Sequence, residues 1–321
     1  MSTMTPTRLG KTITAFLAFK RALGYRYGRG EFTLRNFERF VADSRDPHSL
    51  IDLEKVIRAW LLRTPGRKPV TLADDLGAVR QLCLYLQRHD PSVFVPPVSM
   101  APQTASHYQP YVFSLAEIRR LIRAAEQYRG KVFWPDMFRT LLVTTYCTGL
   151  RLGEAVRLRQ SDLDQERCVL HVVGSKGRSR DIPFRPDLKR ELEHYLHQRA
   201  AVLRALGRDT ETALFVGRHG RSVTLIATSW AIRRLLRRLG IKGDSSRCGP
   251  RPYDLRHAFA VHRLTAWYRE GVDLHARLPW LSAYMGHLNV LGTEVYLHAT
   301  PELLTMASDR FAARFANPRR K

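Results

Sequence analysis

Apolar residues in the first ninety positions recur every three or four residues and rarely alternate. Ile13, Phe16, Leu17 and Phe19, then Leu23, fall on one side of a segment that ends near Gly24. Leu34, Phe37, Phe40 and Val41 repeat the pattern, as do Leu53, Val56, Ile57, Trp60 and Leu61. Gly66 and Pro69 interrupt the chain, and Leu72, Leu76, Val79, Cys83 and Leu86 form a fourth stripe. Such spacing puts each set on one face of an α-helix. Four amphipathic helices predict a small bundle over residues 1–90, with Arg26, Arg29, Arg35, Arg39, Arg67 and Lys68 on its outer faces.

The periodicity then stops. Residues 91–111, PSVFVPPVSMAPQTASHYQPY, hold five prolines and keep no regular period, so an extended linker is expected over 91–112. A new segment opens with Ser114 and Glu117, the pattern of a helix capping box, ahead of Leu115, Ile118, Leu121 and Ile122. Another helix is expected from about Pro135 to Cys147. CVLHVV (168–173) and RDIPF (180–184) read as two short strands around the turn GSKGRS, a small hairpin or ribbon. Helical patterns resume at 186–205, 227–239, 254–269, 277–285 and 301–315. The chain reads as mainly α, with a helical N-terminal domain and a mixed α+β domain over 113–321 that holds a small antiparallel sheet.

Composition narrows the function classes. The 321 residues are 44% hydrophobic and 26% charged, enough apolar material for real cores. Lys and Arg number 53 against 29 Asp and Glu, a formal charge of +24. A surplus of that size points to a polyanionic partner, with nucleic acid first. No apolar run reaches the roughly 18 residues of a membrane span, and the N-terminus lacks the apolar core of a secretory signal. Cys83, Cys147, Cys168 and Cys248 lie too far apart for a C-x-x-C zinc framework. Reduced thiols in a cytoplasm are the simplest expectation, with no metal and no cofactor.

Four segments of the second domain concentrate the residues that could carry chemistry. Thr148-Gly149-Leu150-Arg151-Leu152-Gly153-Glu154 places an arginine where a glycine turn starts a helix, a ready anion site. Gly174-Ser175-Lys176-Gly177 puts a lysine at the tip of the ribbon. Tyr253-Asp254-Leu255-Arg256-His257 opens a helix after Pro252. Gly286-His287 precedes Tyr296 by nine residues, with Thr293 between. Taken singly, each has a bland reading: a routine Arg–Glu helix pair, a solvated turn, structural aromatic residues. Tyr268, Tyr284 and Tyr296 are indistinguishable by type alone.

In this order, G-L-R-x-x-E, a turn lysine, x-x-L-R-H and G-H with a tyrosine nine on, the set resembles the tyrosine recombinase (phage integrase) family over roughly the whole chain. The segment LSAYMGHLNVLGTEVYLHATPELL looks most like its transposon-encoded branch. The resemblance implies a helical core-binding domain (1–90) and a catalytic domain (113–321) that close on double-stranded DNA as a C-shaped clamp. It implies attack of a tyrosine on a phosphodiester to give a 3′-phosphotyrosine and a free 5′-hydroxyl. It also implies strand exchange in a tetramer on an inverted-repeat core site, with other recombinases as possible partners. Residue by residue, Arg151 and Arg256 take the places of the catalytic arginines, Lys176 that of the ribbon lysine acting as general acid, His287 the histidine-or-tryptophan position, and Tyr296 the nucleophile. Glu154 and His257 match supporting positions, assigned to structure rather than chemistry.

The chemistry independently asks for such a set. Two arginines can neutralise charge that builds on the non-bridging oxygens without a metal. A phenol with an ordinary pKa of about 10 is expected to ionise more readily beside positive groups. A lysine can protonate a 5′-alkoxide that would otherwise leave poorly. The ester stores the bond energy, so no ATP is needed, and no G-x-x-x-x-G-K-[ST] loop occurs. One position departs from the family: three residues before the second arginine stands Tyr253, where histidine is usual. A phenol there donates a hydrogen bond but accepts a proton poorly at neutral pH. That keeps open a catalytically weakened DNA-binding partner beside the leading reading, and a type IB topoisomerase shares the tyrosine chemistry. The last helical stripe, Leu303, Met306, Phe311 and Phe315, is expected either to dock on a neighbouring protomer or to pack within its own domain.

Overall fold

A computed structural model describes residues 8–43, 52–102, 110–175, 178–243 and 249–297, with residues 305, 308, 309, 311 and 312. The chain divides into two compact units, Met1–His107 and Tyr108–Lys321. Among the described residues no helix is long and apolar enough to cross a membrane.

Among the described residues the N-terminal unit holds four α-helices, α1 (Arg8–Ala22), α2 (Gly28–Asp43), α3 (Leu53–Leu62) and α4 (Pro69–Gln87). Helix α4 starts with Pro69 in its first turn, where the missing N–H costs nothing, and packs on the other three. The expected stripes meet in one core of Ile13, Phe16, Leu17, Leu34, Phe37, Ile57, Trp60, Leu76, Val79, Leu82 and Cys83. Phe37 meets Trp60 edge-on with ring centroids 5.1 Å apart. Leu23 lies beyond the end of α1 and is exposed.

Two expectations for this unit are corrected. Arg67 is not an outer-face charge: its side chain is 15% exposed and pairs with the buried Asp75 of α4, which also receives Arg63 at 3.3 Å and the Thr33 hydroxyl at 3.3 Å. A carboxylate taken out of water needs such compensation. The segment from residue 91 is not wholly a linker either. Val93, Phe94, Val95 and Met100 pack against the bundle, Ala101 is buried in it, and Arg80 donates to the Pro96 carbonyl at 2.6 Å. Its one regular piece is a 3-10 turn at Val98–Met100, and its apolar side chains still find the core.

The second unit begins with α5 (Leu115–Glu126), whose capping box forms as expected: Ser114 Oγ accepts from Glu117 N and the Glu117 carboxylate from Ser114 N. Leu115, the first residue of α5, faces solvent rather than the core. Helix α6 (Pro135–Thr148) packs on α5, α8 (Pro186–Ala205) and α10 (Asp254–Arg269). Between them lie the one-turn α7 (Leu152–Ala155) and an antiparallel sheet in the order β1 (Leu163–Asp164), β2 (Val169–Ser175), β3 (Arg178–Pro183). Leu170 pairs with Ile182 and Val172 with Arg180. Strand β1 adds two residues that give no period to read. Helices α9 (Leu225–Arg238), α11 (Leu274–Met285) and the short α12 (Leu291–Glu294) also belong to this unit. Helix α11 begins three residues earlier than its apolar pattern, because Asp273 caps it by accepting from His275 N.

The main core of this unit runs through Met137, Phe138, Leu141, Leu170, Ile182, Leu192, Ile232 and Leu255. A second cluster joins α10, α11 and the segment beyond α11 through Phe259, Val261, Leu264, Leu278, Leu281, Met285 and Tyr296. The mainly α architecture with a small antiparallel sheet is the fold class expected from the pattern.

Candidate active site

The site is assembled where two chain reversals meet. Gly149 ends α6 in the left-handed conformation (φ 61°), and a Cβ there would come within 2.4 Å of the Phe259 ring. The turn delivers Arg151 to the start of α7. Glu154, one turn on and 1% exposed in its side chain, accepts from the Arg151 backbone N–H at 2.9 Å and from the Arg151 guanidinium at 2.8 Å. The pair, which taken alone reads as a routine helix contact, is therefore a buried bracket for the arginine.

A second reversal ends α11 at Gly286 (φ 66°). The last carbonyls of a helix have no partner within it and form its negative end. Here three successive ones accept from three different arginines. Arg180 Nε donates to the Tyr284 carbonyl at 2.9 Å, Arg256 Nη2 to the Met285 carbonyl at 2.5 Å, and Arg151 Nη2 to the Gly286 carbonyl at 3.4 Å. Arg256, at the start of α10, also donates to the Gly149 carbonyl at 2.7 Å, tying the two reversals together. Its Nε is buried with no hydrogen-bond partner, a donor left over for an incoming oxyanion. Burial, then the charge of Arg151, lowers its pKa to about 10, so it stays charged at neutral pH.

Arg180 is the residue that sequence reasoning missed. It stands on β3 and grips both Glu154 oxygens, at 2.8 and 3.2 Å, besides the α11 carbonyl. A Cβ on Gly286 would fall 2.8 Å from its guanidinium. The signal was available: Arg180 lies two residues before Ile182, which is fully buried, so strand alternation turns both to the same inner face.

The residues after α11 bring the candidate nucleophile inward. Tyr296 is 3% exposed. Its hydroxyl lies 3.0 Å from Nδ1 of His257, on the first turn of α10. His287 Nδ1 lies 2.7 Å from the Thr293 hydroxyl, and its ring stacks on Tyr296 with centroids 6.3 Å apart. Burial lowers both histidines to about 4, with Arg256 adding to the effect at each; both are neutral at pH 7. Tyr284, by contrast, donates its hydroxyl to the Pro183 carbonyl at 3.0 Å, a structural tie.

Burial overturns one expectation. The Tyr296 phenol is pushed up to about 12, because loss of solvation outweighs the stabilising charges of Arg256 and Arg151. His257, assigned from sequence to a supporting position, touches the phenol directly. Tyr253 is 40% exposed, and its ring meets that of His257 edge-on at 4.8 Å, so it is no core tyrosine. The structure thus gathers Arg151, Glu154, Tyr253, Arg256, His257, His287 and Tyr296. Lys176 lies outside the described residues, as do Leu303, Met306 and Phe315; Phe311 is helical and exposed.

Comparison with known proteins addresses the same unit. The Phage integrase family matches residues 112–302, more than half of the chain. The chain belongs to the phage integrase family. Among its family relatives is a putative integrase/recombinase, y4rB, of Sinorhizobium fredii (strain NBRC 101917 / NGR234), 31% identical over 310 residues, 95% of this chain and 97% of that protein. Tyrosine recombinase XerC of Lacticaseibacillus casei (strain BL23) is 27% identical over 291 residues, 90% and 88% of the two chains. The integrase fold itself is shared with the Tn1549 transposon integrase in complex with transposon right end DNA (TM-score 0.65, 17% identity, 94% and 99% coverage). A lambda integrase dimer bound to a core site also shares it (TM-score 0.61, 17% identity, 90% and 96%).

Proposed function

We propose that this integrase-family protein is a site-specific DNA recombinase that cuts and rejoins double-stranded DNA through a 3′-phosphotyrosine at Tyr296. One observation carries the reading: a buried phenol stands beside neutral histidines in a site where three guanidiniums converge. Attack by the Tyr296 oxygen breaks the bond from phosphorus to the 5′ oxygen. Arg151 and Arg256 hold the non-bridging oxygens, His287 donates from the nitrogen not engaged with Thr293, and Lys176 protonates the leaving oxygen. Charge on the phosphoryl group is met by arginine, so neither a metal nor ATP takes part.

The inverted-repeat core site, tetramer and transposition belong to the same proposal. The first rests on family membership, the last on the likeness of residues 281–304 to the transposon-encoded branch. Assembly draws support from a cavity of about 610 Å³ in the second unit, walled by Phe259, Trp267, Trp280, Leu281 and Tyr284. It offers an apolar seat for the C-terminal segment of another copy. The protein acts in the cytoplasm, where its DNA lies.

The test is a nicked suicide duplex carrying the site that the purified protein protects. Wild-type protein forms a denaturation-resistant adduct in the presence of EDTA. Tyr296→Phe binds the same DNA and forms none. Adduct formation by Tyr296→Phe, or a requirement for Mg²⁺, overturns the reading. A second reading, a DNA-binding partner with weak catalysis of its own, is favoured by Tyr253 at the usual histidine position. It is supported if the wild-type protein protects the site but leaves no adduct.

A further inference from the structure

A phenol held near pKa 12 carries only about one phenolate in 10⁵ at pH 7, so its attack needs a group that takes the proton. The residue three before Arg256, Tyr253, cannot serve, being a phenol itself. We propose that His257 is the general base for Tyr296 and that Asp254 positions it; this deepens the recombinase reading and rests on Tyr296 being the nucleophile.

The geometry supports the assignment atom by atom. Among the described residues, His257 Nδ1 is the ring nitrogen within hydrogen-bonding reach of the Tyr296 hydroxyl, at 3.0 Å. Nδ1 of His287 is engaged with the Thr293 hydroxyl at 2.7 Å. If the phenol donates to Nδ1, the ring proton of His257 sits on Nε2. That atom lies 3.8 Å from Asp254 Oδ1, an ion-pair distance rather than a direct hydrogen bond. Asp254 is fully buried and held from below: its Oδ2 accepts the Arg251 backbone N–H at 2.7 Å, and its Oδ1 lies 3.4 Å from the Arg251 guanidinium. A carboxylate so fixed stabilises the imidazolium formed when the proton arrives, and it orients the ring beforehand. Residues 254 and 257 are one helical turn apart, which places both on one face of α10.

The surroundings keep the base ready. Groups facing His257 on and beside its own helix are Asp254, Arg251, Arg256 and Tyr253; from the segment after α11 they are His287 and Tyr296. The arginines and burial disfavour the protonated ring, and Asp254 opposes them less strongly, leaving a neutral acceptor at physiological pH. In cleavage the Tyr296 oxygen bonds to phosphorus, its proton passes to His257 Nδ1, and the bond from phosphorus to the 5′ oxygen breaks. In rejoining, the 5′-hydroxyl attacks, the phosphotyrosine bond breaks, and His257 returns the proton to the phenolate oxygen.

The experiment measures single-turnover adduct formation by the full chain on the same nicked duplex, from pH 5 to pH 9. His257→Asn keeps a polar atom near the Nδ1 position but cannot take up the proton. It should bind DNA as the parent does and lose about 10²–10⁴ in rate at pH 7. Its rate should climb about tenfold per pH unit as hydroxide ionises the phenol, whereas the parent, with His257 already neutral, stays level above pH 6. Added imidazole should restore part of the rate of His257→Ala. A His257→Asn rate equal to the parent's, or a reduced rate with the parent's pH profile and no imidazole rescue, overturns the base assignment. Tyr296→Phe run alongside separates the two failures: an adduct in that variant defeats the nucleophile itself, whatever His257 does.

Discussion

Buried Tyr296 and the half-buried His257 and His287 form one cluster, and burial moves each pKa toward the uncharged form. This could not be read from the motifs. Their spacing picks out Arg151, Arg256, His287 and Tyr296 because four separated segments keep a fixed order of residue types. The proton affinity of each group depends on what covers it, which is tertiary information. The expectation of a readily ionised Tyr296 failed for that reason, and the contact of His257 with the phenol could not be read from its place in the x-x-L-R-H motif. Tyr253 shows the converse. Its departure from the family pattern was legible, and its 40% exposure now removes the core-packing explanation. On the proposed recombinase reading its hydroxyl donates to the scissile phosphate, so Tyr253→Phe should slow adduct formation by about 10²–10³, the usual cost of one oxyanion donor. Tyr253→His should retain more activity than Tyr253→Phe. Equal rates for Tyr253→Phe and the parent in the suicide-duplex assay would leave Tyr253 only the role of covering His257.

At the scale of elements, the end of α11 and strand β3 matter most. Long periodic helices such as α4, α6, α8 and α10 were evident from their apolar stripes, and the ribbon of β2 and β3 from its flanking turn. The short pieces α12 and β1 were not, since two to four residues cannot establish a period; α7 was legible only through the glycine turn that opens it. Arg180 links these scales: it stands on the ribbon strand four residues after Lys176, yet holds Glu154 and the α11 terminus. Arg180→Lys preserves the charge and loses the planar fork that reaches two acceptors at once. Adduct formation should fall about 10- to 100-fold with DNA affinity little changed. The same loss should shrink in a Glu154→Gln background, because part of the Arg180 contribution runs through Glu154. Full additivity of the two substitutions would show that Arg180 works elsewhere.

The whole molecule carries +24, the property read most directly from the sequence and the one least tied to any single contact. It implies that binding is driven by release of counterions. Raising salt from 50 to 200 mM should therefore weaken DNA binding by about 10³-fold or more if several phosphates are neutralised. A flat response in a titration would contradict that view. The composition of residues 91–101 concealed their packing on the N-terminal helices, since proline content limits regular structure without excluding contacts. The end of α11 bears on the charge in a different way. Its carbonyls are dipoles without net charge, so they collect three mutually repelling guanidiniums yet cancel none of them. Among the described residues, Glu154 is the carboxylate engaged with these side chains, which leaves a local surplus of two positive charges. A phosphodiester attacked by a phenolate is a dianion at its most crowded point. The surplus therefore equals the charge of the reacting group at that moment rather than that of resting DNA, and a helix terminus has supplied the scaffold without consuming any of it.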